Sequence, residues 1–220
     1  MPDAAAKPYS APYRWYALSM LVVVYVFNFI DRSILGILVQ PIKEDLQVSD
    51  TAMGFLGGIA FAVFYTFLGI PIARLADKGS RINVLTVSLV LWSGATALCG
   101  MAQSFFQLLA ARIGVAVGEA GGSPPSHSMI SDMFPPERRA TALAIYALGI
   151  PIGTMLGNLG GGWINEAFDW RTAFVVVGLP GVFLAIVLRL TVREPPRGVA
   201  EGVVLTDAET PSVGEVFRHL

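Results

Sequence analysis

The chain has 220 residues, of which 54% are hydrophobic and only 14% are charged, and its mean hydropathy is +0.63. A soluble domain usually carries about a quarter charged residues, so this composition predicts an integral membrane protein whose main solvent is lipid. The formal net charge of −1 gives no indication of a nucleic-acid partner, and the single cysteine, Cys99, excludes an intrachain disulfide.

The chain begins with a polar stretch, residues 1–15, which is predicted to form a cytoplasmic tail. The apolar run that follows is too long for the core of a signal peptide. Six apolar segments can be separated, each near the ~20 residues that a helix needs to cross a bilayer. The predicted spans are Tyr16–Val39, Thr51–Ala73, Ile82–Ala102, Phe105–Met133, Ala140–Gly162 and Thr172–Leu190.

Two of these spans are expected to deviate from straight helices. The fourth is overlong and contains Pro124 and Pro125, so it is predicted to kink or to end early. The fifth repeats small residues at about one-turn spacing around Pro151, as expected of a helix that bends or slides against a neighbour. After the sixth span, residues 194–220 begin with EPPRG and are predicted to be a cytoplasmic linker.

The basic residues predict the orientation of the chain. Lysines and arginines concentrate in the tail, in the second and fourth loops and after the sixth span, whereas the opposite loops hold only Lys43 and Arg171. The positive-inside rule therefore predicts that both ends lie in the cytoplasm and that the protein resides in the plasma (inner) membrane.

Four ionisable side chains fall well inside the predicted spans: Asp31, Arg32, Arg112 and Glu119. One charge at the bilayer centre costs about 2.5 to 3.5 kcal/mol on insertion scales, so four of them point to a shared polar cavity. At about 1.5 Å per residue, Asp31 and Arg112 lie at matching depths, about 12 Å and about 10 Å below the outer ends of their helices. Glu119 lies two turns from Arg112 on the same face.

These depths lead to specific expectations for each charge. Asp31 is predicted to pair with Arg112 across the cavity. Glu119 has no partner that the sequence reveals and is expected, once desolvated, to take up and release a proton near neutral pH. Arg32 points about 100° away from Asp31 and has no predicted partner. The alternative is a buried ion network that only holds the first and fourth spans together.

Polar and aromatic side chains in the same spans are candidates for lining the cavity, because amphipathic rings suit a lipid-like substrate. The candidates are Tyr25, Asn28, Arg32, Phe55, Phe61, Tyr65 and Tyr146. Ordinary helix packing is the alternative explanation for each of them. The sequence predicts no cofactor and no metal site.

The second loop, ARLADKGSRI, resembles the cytoplasmic signature that the major facilitator superfamily carries between its second and third helices. Its charged and turn-forming residues are Arg74, Asp77, Lys78, Gly79 and Arg81. Gly79 allows a tight turn, and Asp77 at a helix end with basic neighbours is suited to a breakable conformational latch. Ala73 replaces the first glycine of the signature.

The stretch LLAARIGVAVGEAG (108–121) is similar to the motif of the superfamily's fourth helix. Other stretches are similar to the spinster branch of that superfamily: FNFIDRSIL (27–35), QPIK (40–43), EAG (119–121), DWRTAF (169–174) and REPPRG (193–198). The resemblance implies an all-α fold of two inverted three-helix repeats, about residues 16–102 and 105–193, within a six-helix N-terminal half, residues 16–193. It also implies a second six-helix half as a partner.

The resemblance further implies a proton-coupled secondary transporter that works by alternating access, with Asp31, Arg112 and Glu119 controlling protonation. Eukaryotic spinsters are associated with lysophospholipid and sphingoid-lipid export, so a small, amphipathic or lipid-like substrate is expected.

The sequence leaves two alternative functions. A half-transporter that does not transport but assembles with another membrane protein would share these features. An intramembrane hydrolase would use Ser123, Ser126 and His127, but Ser126 and His127 are adjacent on one helix and diverge, and no G-x-S-G occurs. The other histidine, His219, lies in the predicted linker. The sequence therefore favours a protein that is not an enzyme.

Overall fold

The computed structural model describes residues 9–198, so most of the predicted tail and linker, with His219, lies outside the described residues. Lipid cannot hydrogen-bond to backbone groups, and the described chain satisfies them within helices, without a β-strand. The helices are α1 (Ala11–Leu46), α2 (Asp50–Gly54), α3 (Phe61–Lys78), α4 (Arg81–Cys99), α5 (Phe105–Glu119), α6 (Ser123–Met133), α7 (Pro136–Ala147), α8 (Gly149–Ala167) and α9 (Trp170–Thr191). The predicted all-α fold class is confirmed.

The first helix is longer than its apolar run. Pro12 lies in the first turn of α1, where its missing N–H needs no partner, so the helix begins at Ala11 within the predicted tail. The helix ends at Leu46, and the next residue, Gln47, adopts the left-handed conformation with φ of 52°. Polar first and last turns therefore extend the predicted span at both ends.

The second span is one continuous helical segment, 50–78, with a change of helix type inside it. A π-helical turn, Phe55–Ala60, separates α2 from α3. Such a turn accommodates one extra residue and rotates the side chains that follow it. Phe61, the first residue of α3, comes directly after this turn.

Two predicted spans are interrupted. The fourth breaks at residues 120–122, so α5 has 15 residues and α6 has 11, and Pro124 and Pro125 lie in the first turn of α6. The fifth is interrupted at Leu148, three residues before Pro151. Within residues 9–198, five helical segments are individually long and apolar enough to cross a membrane. The divided fourth span is the sixth apolar segment.

Close helix contacts depend on glycine. A Cβ on Gly157 of α8 would lie 2.9 Å from the Ile30 carbonyl oxygen of α1, and one on Gly178 of α9 would lie 2.5 Å from the Ala97 backbone nitrogen of α4. Small residues therefore let α8 approach α1 and α9 approach α4, as in other membrane helix pairs. Large apolar side chains cover the outside of the bundle; Phe106, for example, is 77% exposed. Such a surface is suited to lipid.

Candidate functional site

Two helices supply the buried charges near the centre of the bundle. Asp31 and Arg32 belong to α1, and Arg112 and Glu119 belong to α5. Asp31, Arg112 and Glu119 are 1%, 3% and 1% exposed, and the Arg32 side chain is 31% exposed. The structure therefore gathers all four predicted charges, and a charge in such surroundings is costly unless it is paired or hydrated.

Arg32 and Glu119 form an ion pair. Arg32 Nε donates a hydrogen bond to Glu119 Oε2 at 2.5 Å. The expectation that neither residue has a partner is therefore wrong. Helix side chains lean toward the N-terminus of their own helix, so the long Arg32 side chain leans toward the N-terminal end of α1. Glu119, the last residue of α5, lies on that side of Arg32.

Asp31 and Arg112 are electrostatic neighbours without direct bonding. The Arg112 guanidinium acts electrostatically on Asp31, but among the described residues no ion pair and no hydrogen bond joins the two side chains. The predicted direct pair is therefore not formed. Arg112 instead lines a cavity together with residues that follow Asp31 on α1. The Arg112 side chain leans toward the N-terminus of α5, which is the direction of those residues.

Several buried polar atoms in this group have no hydrogen-bond partner. These atoms are Asp31 Oδ1, Arg112 Nε, Arg112 Nη1 and Glu119 Oε1. Buried polar atoms are satisfied in the great majority of protein structures, because each unmade hydrogen bond costs free energy. Four such atoms on two neighbouring helices, α1 and α5, make these residues the candidate site.

Aromatic rings surround the guanidinium groups. Phe61 lies 5.3 Å from Arg32 Cζ and 5.4 Å from Arg112 Cζ, measured to the ring centroid. The Tyr65 ring, which stacks on Phe61 at 5.8 Å, lies 4.9 Å from Arg32 Cζ, and Phe29 lies at 5.5 Å. Cation–π contacts of this kind stabilise positive charge in an apolar setting.

A cavity of about 270 Å³ opens between these rings and α1, and we refer to it as the central cavity. Its lining residues are Arg32, Leu35, Gly36, Val39, Gly57, Phe61 and Arg112. Two guanidinium groups are thus the charged part of an otherwise apolar lining. The π-helical turn before Phe61 contributes to this arrangement, because Gly57 lies within the turn and Phe61 follows it.

The other candidate lining residues occupy different positions. Tyr25 and Tyr146 stack on each other at 4.3 Å, and Phe55 is 42% exposed on the π-helical turn. Asn28 is 4% exposed, on α1 near the charges. None of these four lines the central cavity, and neither does Tyr65, which contacts Arg32; of the predicted lining residues, Arg32 and Phe61 line it. Sequence reasoning missed Leu35, Gly36, Val39 and Gly57, which carry no polar signal.

A second charged group joins the ends of several helices, and we call it the Arg81 cluster: Arg81, Ser128, Asp132 and Glu194. Arg81 is 1% exposed. Its Nη1 donates to Ser128 Oγ at 2.8 Å and to Asp132 Oδ2, and its Nε donates to Glu194 Oε1 at 3.2 Å. Its Nη2 donates to the Pro195 carbonyl oxygen at 2.5 Å. Every guanidinium nitrogen therefore has a partner.

The segment after α9 holds two helix ends in place. Glu194 accepts hydrogen bonds from Ser80 Oγ and from the Arg81 backbone N–H at the N-terminus of α4. Arg197 donates to the Ala76, Asp77 and Gly79 carbonyl oxygens at the C-terminus of α3. An anion at a helix N-terminus and a cation at a C-terminus both complement the helix dipole.

These bonds outweigh the cost of partial burial for Glu194. Burial opposes its ionisation, but the hydrogen bonds from Ser80 and Arg81 and the adjacent guanidinium hold the pKa of Glu194 below its usual range. In the predicted latch loop, Asp77 contributes its carbonyl oxygen; its carboxylate is exposed and has no ion pair within residues 9–198. Arg74 and Lys78 are also exposed.

The geometry gives no support to a hydrolytic pair in α6. Ser126 Oγ donates to the Gly122 carbonyl oxygen at 2.8 Å, and His127 Nδ1 lies 2.9 Å from the Ser123 carbonyl oxygen. Both side chains are thus bonded to the backbone of their own helix. A nucleophile and its base would have to bond to each other.

Comparison with known proteins identifies the class to which this fold and site belong. The model of the Major Facilitator Superfamily matches residues 21–219, so the chain belongs to this superfamily of membrane transporters. It is 42% identical over 178 residues to an MFS-type efflux pump of Mycolicibacterium smegmatis, covering 81% of this chain and 42% of that protein. It is 32% identical over 198 residues to the hexuronate transporter of Bacillus subtilis, covering 89% and 46%.

A solved structure places the chain within the superfamily. A bacterial homologue of the human lysosomal transporter Spinster, in an inward-facing and occupied conformation, superposes with a TM-score of 0.78 at 40% identity. The match covers 88% of this chain and 47% of that one. The chain is therefore spinster-like, as the sequence predicted, and it spans less than half the length of these relatives.

Proposed function

We propose that this chain is the N-terminal half of a proton-coupled secondary transporter that carries a small, amphipathic organic anion by alternating access. The observation that supports this most strongly is the central cavity itself. It contains one guanidinium, Arg32, engaged by a buried carboxylate, and a second, Arg112, with two nitrogens that lack partners. Such a site has a place for a proton and a place for an anion.

Proton and substrate are coupled through Arg32. When Glu119 takes up a proton, its carboxylate becomes neutral and its ion pair with Arg32 is lost. Arg32 is then free to attract the substrate anion beside Arg112. Release of the proton restores the Arg32–Glu119 pair and weakens the hold on the anion. Asp31, buried within the electrostatic reach of Arg112, is a second proton site.

The Arg81 cluster is the conformational latch in this scheme. It joins α4, α6 and the segment after α9 while the helix ends are close together. Alternating access requires these ends to separate, so the cluster must break and re-form in each cycle. The predicted latch residues Arg74, Asp77, Lys78 and Gly79 adjoin Arg81, and both ends of this half face the cytoplasm.

The substrate class follows from the lining of the cavity. The two arginines favour an anionic ligand. The apolar rest of the lining favours a ligand with a hydrocarbon portion over one that is polar throughout. A lysolipid-like molecule and a smaller organic acid both have this form, and relatives include a hexuronate transporter. A second six-helix half closes the cavity from the other side, since the relatives are more than twice as long as the matched region.

Vesicles that contain the full-length gene product test this proposal. An imposed pH gradient should drive uptake of at least one member of a panel of lysolipids, fatty acids and sugar acids, with proton movement recorded by a trapped pH-sensitive dye. Collapse of the gradient with a protonophore should abolish uphill accumulation. Transport of the whole panel without any response to the gradient would contradict proton coupling, and peptide cleavage would restore the hydrolase hypothesis.

A further inference from the structure

The central cavity differs in chemistry along α1. Its lining residues on that helix are Arg32, Leu35, Gly36 and Val39, whose spacings of three and four residues place them on one face. At about 1.5 Å per residue, this face extends about 10 Å from Arg32 to Val39. It begins with a guanidinium and continues with apolar residues. The cavity therefore suits a ligand with a charged end and an apolar end.

Gly36 is a gap in this face. A Cβ built on Gly36 meets no atom within 4 Å, whereas a Cβ built on Gly57, which also lines the cavity, meets Leu35 Cδ2 at 3.4 Å. Gly36 is exposed, and the space over it is open to a larger side chain. Any larger residue there would project into the apolar part of the cavity.

The charged end is suited to a single negative charge. Arg32 Nε is bound to Glu119, while Nε and Nη1 of Arg112, which is 3% exposed, have no hydrogen-bond partner. The ring of Phe61 lies within 5.4 Å of both Cζ atoms, so a ligand that binds in the guanidinium plane does not compete with this ring. A carboxylate does so, because it accepts hydrogen bonds in the guanidinium plane.

We propose that Gly36 is a specificity-determining residue: the cavity binds a monocarboxylate whose apolar portion lies along α1 over Gly36, and the absent side chain sets how long that portion can be. The inference rests on the proposed function, since it assumes that an anion binds at Arg112. A side chain at position 36 would shorten the apolar space and leave the charged end unchanged.

The test is binding of a chain-length series to the purified full-length gene product. Calorimetry with butanoate, octanoate and dodecanoate should show affinity rising with length in the wild type. Gly36→Leu should lower the affinity for dodecanoate by about tenfold, the equivalent of a modest steric clash, and should change the affinity for butanoate little. Gly94→Leu is the matched control, since a Cβ on Gly94 also meets nothing within 4 Å and Gly94 does not line the cavity.

The outcomes separate this inference from the proposed function. An unchanged length preference in Gly36→Leu would overturn the role of Gly36 while leaving anion transport intact. Absence of carboxylate binding to the wild type would overturn the anion site, and the inference with it. If Gly36→Leu does not fold, Gly36→Ala should shift the preference in the same direction by a smaller factor, and no shift would contradict the inference.

Discussion

Two arginines of this chain are almost equally buried but have opposite surroundings. Arg81 is 1% exposed and each of its guanidinium nitrogens donates a hydrogen bond. Arg112 is 3% exposed, yet two of its three nitrogens have no hydrogen-bond partner. A buried guanidinium costs several kcal/mol unless it is compensated. We therefore expect loss of Arg81 to reduce stability and loss of Arg112 to reduce ligand binding.

The largest effect on stability is expected from Arg81. Arg81→Gln leaves Asp132 and Glu194 without their cation, and breaking such a cluster costs about 3 kcal/mol in the free energy of unfolding. Denaturant unfolding of the full-length protein in detergent measures the loss. A loss no larger than that of Arg112→Gln would remove the contrast between the two arginines.

Arg112 is expected to affect transport much more than stability. Arg112→Gln breaks no hydrogen bond at Nε or Nη1, so the free energy of unfolding should fall by at most about 1 kcal/mol. Substrate affinity should fall about 10- to 100-fold, the equivalent of hydrogen bonds to a charged group. Unfolding and binding measured on one preparation check both parts, and unchanged affinity would contradict the role assigned to Arg112.

The Arg81 cluster should make stability sensitive to acid. Since the pKa of Glu194 is lowered in the folded state, its stabilisation is present above the unfolded pKa of about 4.3 and is lost as pH falls through the folded value. The Tm of the wild type should exceed that of Glu194→Gln at neutral pH, and the difference should shrink under acid. When both proteins also carry Arg81→Gln, this difference in Tm should be smaller at every pH.

The smallest effect is expected from an exposed pair. Lys43 Nζ and Asp50 Oδ1 lie 2.5 Å apart, but the Asp50 side chain is 83% exposed. Solvent screens such pairs, so Lys43→Gln should change the free energy of unfolding by less than about 1 kcal/mol. An effect as large as that of Arg81→Gln would show that burial does not decide which charges matter.

The spans were predictable because length and hydropathy determine them directly. The predicted Thr172–Leu190 is α9, Trp170–Thr191, and the predicted Ile82–Ala102 is close to α4, Arg81–Cys99. Burial of Asp31, Arg112 and Glu119 was predictable for the same reason, since these charges interrupt long apolar runs. The all-α fold class and the spinster resemblance followed from these runs and from the order of the motifs.

The pairing of the charges was not predictable from depth alone. Depth placed Asp31 opposite Arg112, but the lean of each side chain toward its helix N-terminus brings Arg32 to Glu119 instead. The π-helical turn before Phe61 rotates the residues that line the cavity, and no sequence pattern indicated it. Gly36 and Gly57 resemble ordinary packing glycines, so their place in the cavity needed the structure.

Glu119 tests the central claim most directly. In vesicles that contain the full-length gene product, wild type and Glu119→Gln should both exchange labelled for unlabelled substrate across the membrane, because a neutral side chain leaves Arg32 free to bind the anion. Only the wild type should accumulate substrate against its gradient when a pH gradient is imposed. Uphill accumulation by Glu119→Gln equal to that of the wild type would contradict the assignment of the proton to this ion pair.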